Sequence, residues 1–272
     1  DLKSRRITMK QIVNNELFSK LLAKYLNKEY INNAGRLIRD YKFLIGEKRL
    51  YYIEKDNYLL FFEYRKDFYN LYYFISKLNL FIDTEDLNPG KPVVADEVYR
   101  EDNLSVSTDA LLEAGFKKYL TRIHMFIKIG VKDVQLSDNI RFACEDEADL
   151  IFELQNKYID KYTGNFLFKE EMVNEVKNNL IFSIYEGMNF AGYLRFRINS
   201  KSVSLEGIVI EPEFRGKGYS KELVKYFIDY FSKEGYNKID LWVRDDNVSA
   251  LRLYDFFNFE KTGYKCDNYI KF

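Results

Sequence analysis

Histidine, cysteine and proline are scarce in this 272-residue chain, with one, two and three copies respectively. Two isolated cysteines, Cys144 and Cys266, make neither a disulfide framework nor a zinc site, which needs paired spacing. Few prolines, with 31% charged and 47% hydrophobic residues, argue against disorder and for packed cores. Charge of one sign is lacking too: Lys plus Arg is 42 and Asp plus Glu is 42, a net charge of zero. Nucleic-acid binders need a positive field to displace phosphate counterions, and nothing here supplies one globally. No apolar run approaches the roughly 18 residues of a membrane span, and no signal peptide is evident, so the cytoplasm is the simplest compartment. Aromatics are abundant at 17%, with 23 Tyr and 23 Phe, and belong in cores and on strand faces. The length suggests two domains.

Apolar residues at helical intervals from Ile7 to Leu26 predict helix over 7–40, weakening at Asn32, Asn33 and Gly35. Short aromatic and aliphatic runs at Phe43–Ile45, Leu50–Ile53, Tyr58–Tyr64 and Leu71–Ile75 then predict an antiparallel meander, although Leu71–Leu80 also suits a helix. Val93–Val98 suits a strand, Thr108 caps a short helix stopped by Gly115, and Arg122–Ile129 is another strand. The polar stretch 132–139 is the expected domain boundary. Beyond it the pattern restarts. A strand at Ile140–Cys144 precedes helices at Asp149–Tyr158 and Lys169–Lys177. Strands follow at Leu180–Tyr185, Phe190–Ile198 and Val203–Ile210, then a helix at Gly218–Lys233 with Leu223, Val224, Phe227, Ile228 and Phe231 in one stripe. A strand at Lys238–Val243, a helix near Val248–Phe257 and strands at Phe259–Tyr264 and Asn268–Phe272 complete the order. This is a mixed α/β chain with a mostly antiparallel sheet.

Between the strand ending at Ile210 and the amphipathic helix lies Arg215-Gly216-Lys217-Gly218-Tyr219-Ser220. Two close glycines let backbone N–H groups face a ligand, the helix start adds partial positive charge, and Arg215 and Lys217 add full charges. A pyrophosphate suits such a turn. Neither G-x-x-x-x-G-K-[ST] nor G-x-G-x-x-G is present, which excludes a Walker loop and a dinucleotide-binding fingerprint.

The turn resembles the R/Q-x-x-G-x-G/A acetyl-CoA loop of the GNAT N-acetyltransferase superfamily, with Ser220 where Gly or Ala is usual. Farther on, Asn247, Ala250 and Tyr254 resemble that family's N-x-x-A-x-x-x-Y motif, with Asn258-Phe259 in place of Gly-Phe. Asn reaches left-handed conformations and can end a helix as glycine does. The resemblance covers about half the chain. It implies a GNAT-like acyl-CoA fold, with Arg215, Gly216, Lys217, Gly218, Tyr219 and Ser220 cradling pyrophosphate. It further implies that the backbone of Ile208, Val209 and Ile210 holds the pantetheine arm, that Asn247 contacts the coenzyme, and that Tyr254 lies near its sulfur.

Acyl transfer to an amine needs a proton acceptor for the ammonium and a donor for the leaving thiolate. His124 lies in the first half and is read as a structural strand residue, which leaves carboxylates, tyrosines or water. Glu206 is the candidate base, because polyamine acetyltransferases of this superfamily carry a glutamate at a similar place. Alternation puts it on the face of Ser204 and Ile208. Tyr254 is the candidate acid, and no metal is implied. Arg195 and Arg197 are read as a solvated strand face, with attraction of an anionic substrate as the alternative.

The end of the first half echoes the end of the second: strand, short helix, Gly115-Phe116, strand. Residues 1–130 carry no Arg-x-x-Gly-x-Gly loop. The expected organisation is therefore a degenerate GNAT-like domain over 1–135, its rival a substrate or dimerisation domain, and a catalytic domain over 138–272. The expected activity is transfer of an acetyl group from acetyl-CoA to a small-molecule or peptide amine, with a homodimer left open. The alternatives are a non-catalytic acyl-CoA-binding regulator and a tandem aminoacyl or peptidyl transferase acting from a charged RNA.

Overall fold

A computed structural model describes residues 9–102, 107–131, 137–163 and 166–272. The helical start expected at Ile7, and residues 132–136 of the expected boundary, lie outside the described residues. The elements, in order, are β1 (Lys10–Gln11), α1 (Asn15–Tyr25), β2 (Tyr30–Asn32), α2 (Gly35–Gly46), β3 (Leu50–Glu54), β4 (Tyr58–Tyr64), β5 (Tyr69–Ser76), β6 (Val93–Arg100), α3 (Ser107–Glu113) and β7 (Lys117–Lys128). They continue with β8 (Ile140–Phe142), α4 (Ala148–Tyr158), α5 (Lys169–Lys177), β9 (Ile181–Glu186), β10 (Asn189–Ile198), β11 (Ser202–Ile210), α6 (Tyr219–Lys233), β12 (Lys238–Arg244), α7 (Val248–Phe256) and β13 (Glu260–Lys271).

Two compact units are present: Asp1–Thr121 with Tyr264–Phe272, and Arg122–Gly263. These bounds depart from a division near 135 in two places. From Arg122 onward β7 pairs antiparallel with β12, and from Tyr264 onward β13 pairs antiparallel with β6. Local composition marks both segments as strands but carries no information on which distant strand each will pair with.

In the first unit, β3, β4 and β5 form the expected antiparallel meander, and β5 then pairs in parallel with β6 at Tyr69–Leu71 against Val93–Ala95. The helix expected over 7–40 is broken. The Asn14 side chain accepts from the Leu17 N–H at 2.9 Å and starts α1 there, and β2 separates α1 from α2. Phe43–Ile45, expected as a strand, is the last stretch of α2, whose buried Leu37 and Leu44 keep a helical spacing through it. Leu71–Ile75 is strand, and Phe61, Phe62, Tyr73 and Phe74 are fully buried on the two faces of β4 and β5.

The second unit repeats the plan: β9, β10 and β11 are antiparallel, and β11 pairs in parallel with β12. Here a full helix, α6, links the parallel pair. Its Leu223, Val224, Phe227 and Phe231 are all buried against Phe182 and Phe196. Burying a side chain of this size stabilises by about 1.5–3 kcal/mol, so this stripe fixes the helix over the sheet. Asn258, at φ 60°, ends α7 in the left-handed conformation expected of it. The two closing strands expected at 259–264 and 268–272 are one, β13, in which Gly263 has φ 78°.

Candidate active site

The parallel pair of the second unit is short. Ser202–Leu205 face Lys238–Leu241, and β12 pairs with β11 no further among the described residues. On the other side β10 follows β11 to its end, but Arg195 faces Gly207 while Phe196 faces Leu205. Glu206 is therefore the extra residue of a β-bulge, which bends the strand and interrupts its alternation. Val203 and Leu205 pack into the core under α6, and after the bulge Ile208 and Ile210 do so, while Val209 packs into the opposite core under α4 and α5. Simple alternation places Glu206 with Ile208. The bulge instead leaves Glu206 on the face opposite Ile208.

A cleft of about 780 Å³ opens where the strands part. It is lined by Glu206–Ile210 of β11, by Arg215, Gly216, Gly218, Tyr219 and Ser220, by Trp242–Arg244 of β12, and by Asn247 and Tyr254 of α7. Of the residues expected to act in catalysis or to bind the coenzyme, all but Lys217 line this one cleft.

The floor of the turn is backbone. Gly216 and Gly218 have φ 79° and 94°, and an added Cβ at either would meet nothing within 4 Å, so the space above them is open. Gly218 is the N-cap of α6 and provides no side-chain cap. The first N–H groups of a helix have no partner within it, so an uncapped start facing open space suits an anion. Arg215 donates from Nε to the Ile210 carbonyl at 3.0 Å, and its guanidinium lies 4.7 Å from the Tyr158 ring centroid. Lys217 is held away by Glu186, donating to both carboxylate oxygens at 2.9 and 3.0 Å, and the Tyr219 hydroxyl donates to the same group at 2.7 Å. Those bonds, Tyr219 first and Lys217 next, hold the Glu186 carboxyl below the usual range. The edge of β11 beyond Leu205, left unpaired by β12, and the open turn line the same cleft.

Asn247 is the N-cap of α7, and its Oδ1 accepts from the Ala250 N–H at 3.1 Å and from the Ser249 hydroxyl at 2.9 Å. Tyr254 is 4% exposed, packs beside Phe259, and has its phenol pKa pushed up by burial. It is therefore protonated throughout the physiological range and able to donate. Glu206 is partly shielded, with 18% of its side chain exposed, and lies 3.8 Å from Arg197 Nε.

Arg195 corrects the expectation of a solvated face. It is 3% exposed and its Nη1 meets both Glu175 oxygens, at 3.2 and 3.1 Å. Burial, with a contribution from the Glu206 charge, outweighs Arg195 and pushes the Glu175 carboxyl upward. Glu175 comes from α5, where nothing in the sequence marks it. Only its partner on an alternating strand hints at a buried pair. His124 is on β7 in this unit, its Nδ1 3.0 Å from Thr262 Oγ1 and its ring 4.8 Å from that of Trp242. It does not line the cleft.

A mixed sheet whose parallel strands part above a glycine turn and a helix start is a GNAT-like arrangement, and residues 147–259, within the second unit, match the profile of the acetyltransferase (GNAT) family. An uncharacterized N-acetyltransferase of Methanocaldococcus jannaschii is 35% identical over 54 residues, which are 20% of this chain and only 24% of that protein. A putative ribosomal-protein-bS18 alanine N-acetyltransferase of Bacillus subtilis is 23% identical over 146 residues, 53% of this chain and 89% of that one. Two solved structures share the fold at low identity. A GCN5-related N-acetyltransferase from Sphaerobacter thermophilus has TM-score 0.59 at 14% identity, over 98% of this chain and 96% of that chain. A tandem GNAT protein from the clavulanic acid biosynthesis pathway has TM-score 0.51 at 8% identity, over 99% of this chain and 93% of that chain.

Proposed function

We propose that the second unit transfers an acetyl group from acetyl-CoA to a primary amine. The observation that carries this is the cleft itself, in which one candidate proton acceptor, one candidate donor and an uncapped helix start line a single gap between parting strands. The free β11 edge at Ile208, Val209 and Ile210 takes the pantetheine amides, and the turn Arg215–Ser220 takes the pyrophosphate. The amine nitrogen attacks the thioester carbonyl and the C–S bond breaks. Glu206 accepts the proton lost by the nitrogen, and Tyr254 donates to the departing sulfur. Support for Tyr254 is its buried, protonated phenol in the cleft wall, and support for Glu206 is the bulge that places it there.

The first unit fits a second, non-catalytic copy of the plan. Its β5 and β6 also part, after Leu71 and Ala95, but β2 pairs with β5 beyond that point, at Phe74–Ser76. The edge that stays open on β11 is thus covered by the chain itself on β5. Asn33, next after β2, bonds to the seam: its Nδ2 donates to the Leu71 and Asp96 carbonyls at 3.1 and 3.2 Å, and its Oδ1 accepts from the Tyr73 N–H at 2.8 Å.

The test is thiol release by the full chain from acetyl-CoA with a panel of amines and N-terminal peptides. Acceptor-dependent release with an N-acetylated product by mass spectrometry is expected. Coenzyme binding without turnover across the panel would instead indicate a regulator.

A further inference from the structure

The first unit has a cavity of about 710 Å³ that the proposed reaction does not use. It lies beside the seam closed by β2 and Asn33, and its wall includes Arg36 at the start of α2. Arg36 is half-buried, with 30% of its side chain exposed, and its shortest ion pair is to Asp40, at 3.8 Å from Nε. Its side chain donates no hydrogen bond to another described residue. It feels the carboxylate charges of Glu63, Asp40 and Asp96 without touching their oxygens at bonding distance. A guanidinium carries five N–H donors in a planar fork, and a half-buried one at a cavity wall needs an acceptor.

The other charged groups on the wall sharpen the reading. The Glu97 oxygens are taken by the Tyr73 hydroxyl and by Ser107, the latter at 2.7 Å, and Asp96 accepts from Asn268 Nδ2 at 2.8 Å. Lys77 and Arg100 add positive charge at the same cavity. The Arg100 guanidinium lies 5.6 Å from the Tyr264 ring centroid, which keeps a flat aromatic surface at the wall, and Arg100 also meets Asp102 at 3.5 Å. Ile31, Leu71, Val94 and Val98 supply apolar wall. The volume falls in the range of about 300–1,000 Å³ typical of small-molecule sites, far more than a bare inorganic ion fills.

We propose that this cavity binds a small organic carboxylate with an apolar body, its carboxylate bonded by the Arg36 fork and its body against the aliphatic and tyrosine wall. Such a site is separate from the acetyl-transfer cleft and gives the first unit a ligand-sensing role. The proposal stands whether or not the second unit is catalytic, because it is read from binding alone.

The experiment is calorimetry on the full chain with 4-phenylbutyrate as probe and inorganic phosphate as comparison, each with and without saturating acetyl-CoA. Phenylbutyrate is expected to bind once per chain in both conditions, and more tightly than phosphate. Arg36→Met should weaken it by about 10–100-fold, the loss typical of a charged hydrogen-bonding partner, and Arg36→Lys by less. Since Arg36 also supports its acidic neighbours, each variant is checked for an unchanged thermal melt. Lys77→Met, at an exposed position, should weaken binding modestly with no effect on folding. No phenylbutyrate binding, binding abolished by acetyl-CoA, equal affinity in folded Arg36→Met, or phosphate binding as tightly would each overturn the proposal.

Discussion

Leu205 faces Leu241 as the last rung of the parallel pair β11–β12, and Glu206 follows at once as the extra residue of a bulge. One backbone irregularity thus ends the ladder, bares the edge of β11 and turns a carboxylate into the resulting gap. The consequences for ligand binding and turnover are separable.

The turn is the first. Gly218 sits at φ 94°, where a side chain costs roughly 1–2 kcal/mol, and its open side is where a pyrophosphate would approach the backbone. Gly218→Val should therefore weaken acetyl-CoA binding about tenfold or more. Equal affinity for wild type and variant by calorimetry would count against this turn as the coenzyme cradle.

Stoichiometry is the second. Because β2 covers the β5 edge and Asn33 bonds across the seam, the first unit offers no free strand edge there for a pantetheine arm. One acetyl-CoA per chain is expected at saturation in equilibrium dialysis. Two would overturn the non-catalytic reading of that unit.

Acid stability is the third. Burial opposes charge on Glu63, but the Arg36 and Arg65 charges and the hydrogen bonds from Asn70 and Tyr72 outweigh it and hold its pKa near about 2, against an ordinary 4.5. A depressed carboxylate pKa stabilises the fold above the ordinary value, and that stability is lost as pH falls through the folded one. Urea midpoints followed by circular dichroism should drop between about pH 4.5 and 2. Glu63→Gln should be less stable at neutral pH, with a flatter acid limb. Parallel limbs for the two proteins would show that Glu63 is not responsible.

Much of the second unit was legible because its signals are local. The α6 stripe and the glycine turn each lie within a few residues, and both appear where the sequence places them. The bulge at Glu206 was not legible, because it is defined by a register against β10 that alternation along one strand cannot show. The Glu175–Arg195 pair was missed for a similar reason, since its two ends come from a helix and a strand. In the first unit the early helix was overextended because Ile12 and Val13 continue a helical period. Asn14, a capping residue inside that run, is the signal that ends the ambiguity.

The proton carriers are the last. Glu206 and Tyr254 line one cleft from β11 and α7, and Tyr254 is kept protonated by burial. Glu206→Gln preserves size and removes the acceptor, and loss of a general base typically costs about 10²–10⁴-fold in rate. The deficit should shrink at high pH, where more of the amine is already free. Tyr254→Phe removes only the hydroxyl. It should lower kcat while leaving acetyl-CoA affinity nearly unchanged, because thiolate protonation belongs to the transition state and not to binding. The measurement is the pH–rate profile of both variants with one good amine. A wild-type acidic limb in Glu206→Gln would remove Glu206 as the base and leave a water relay through the bulge as the route for the proton.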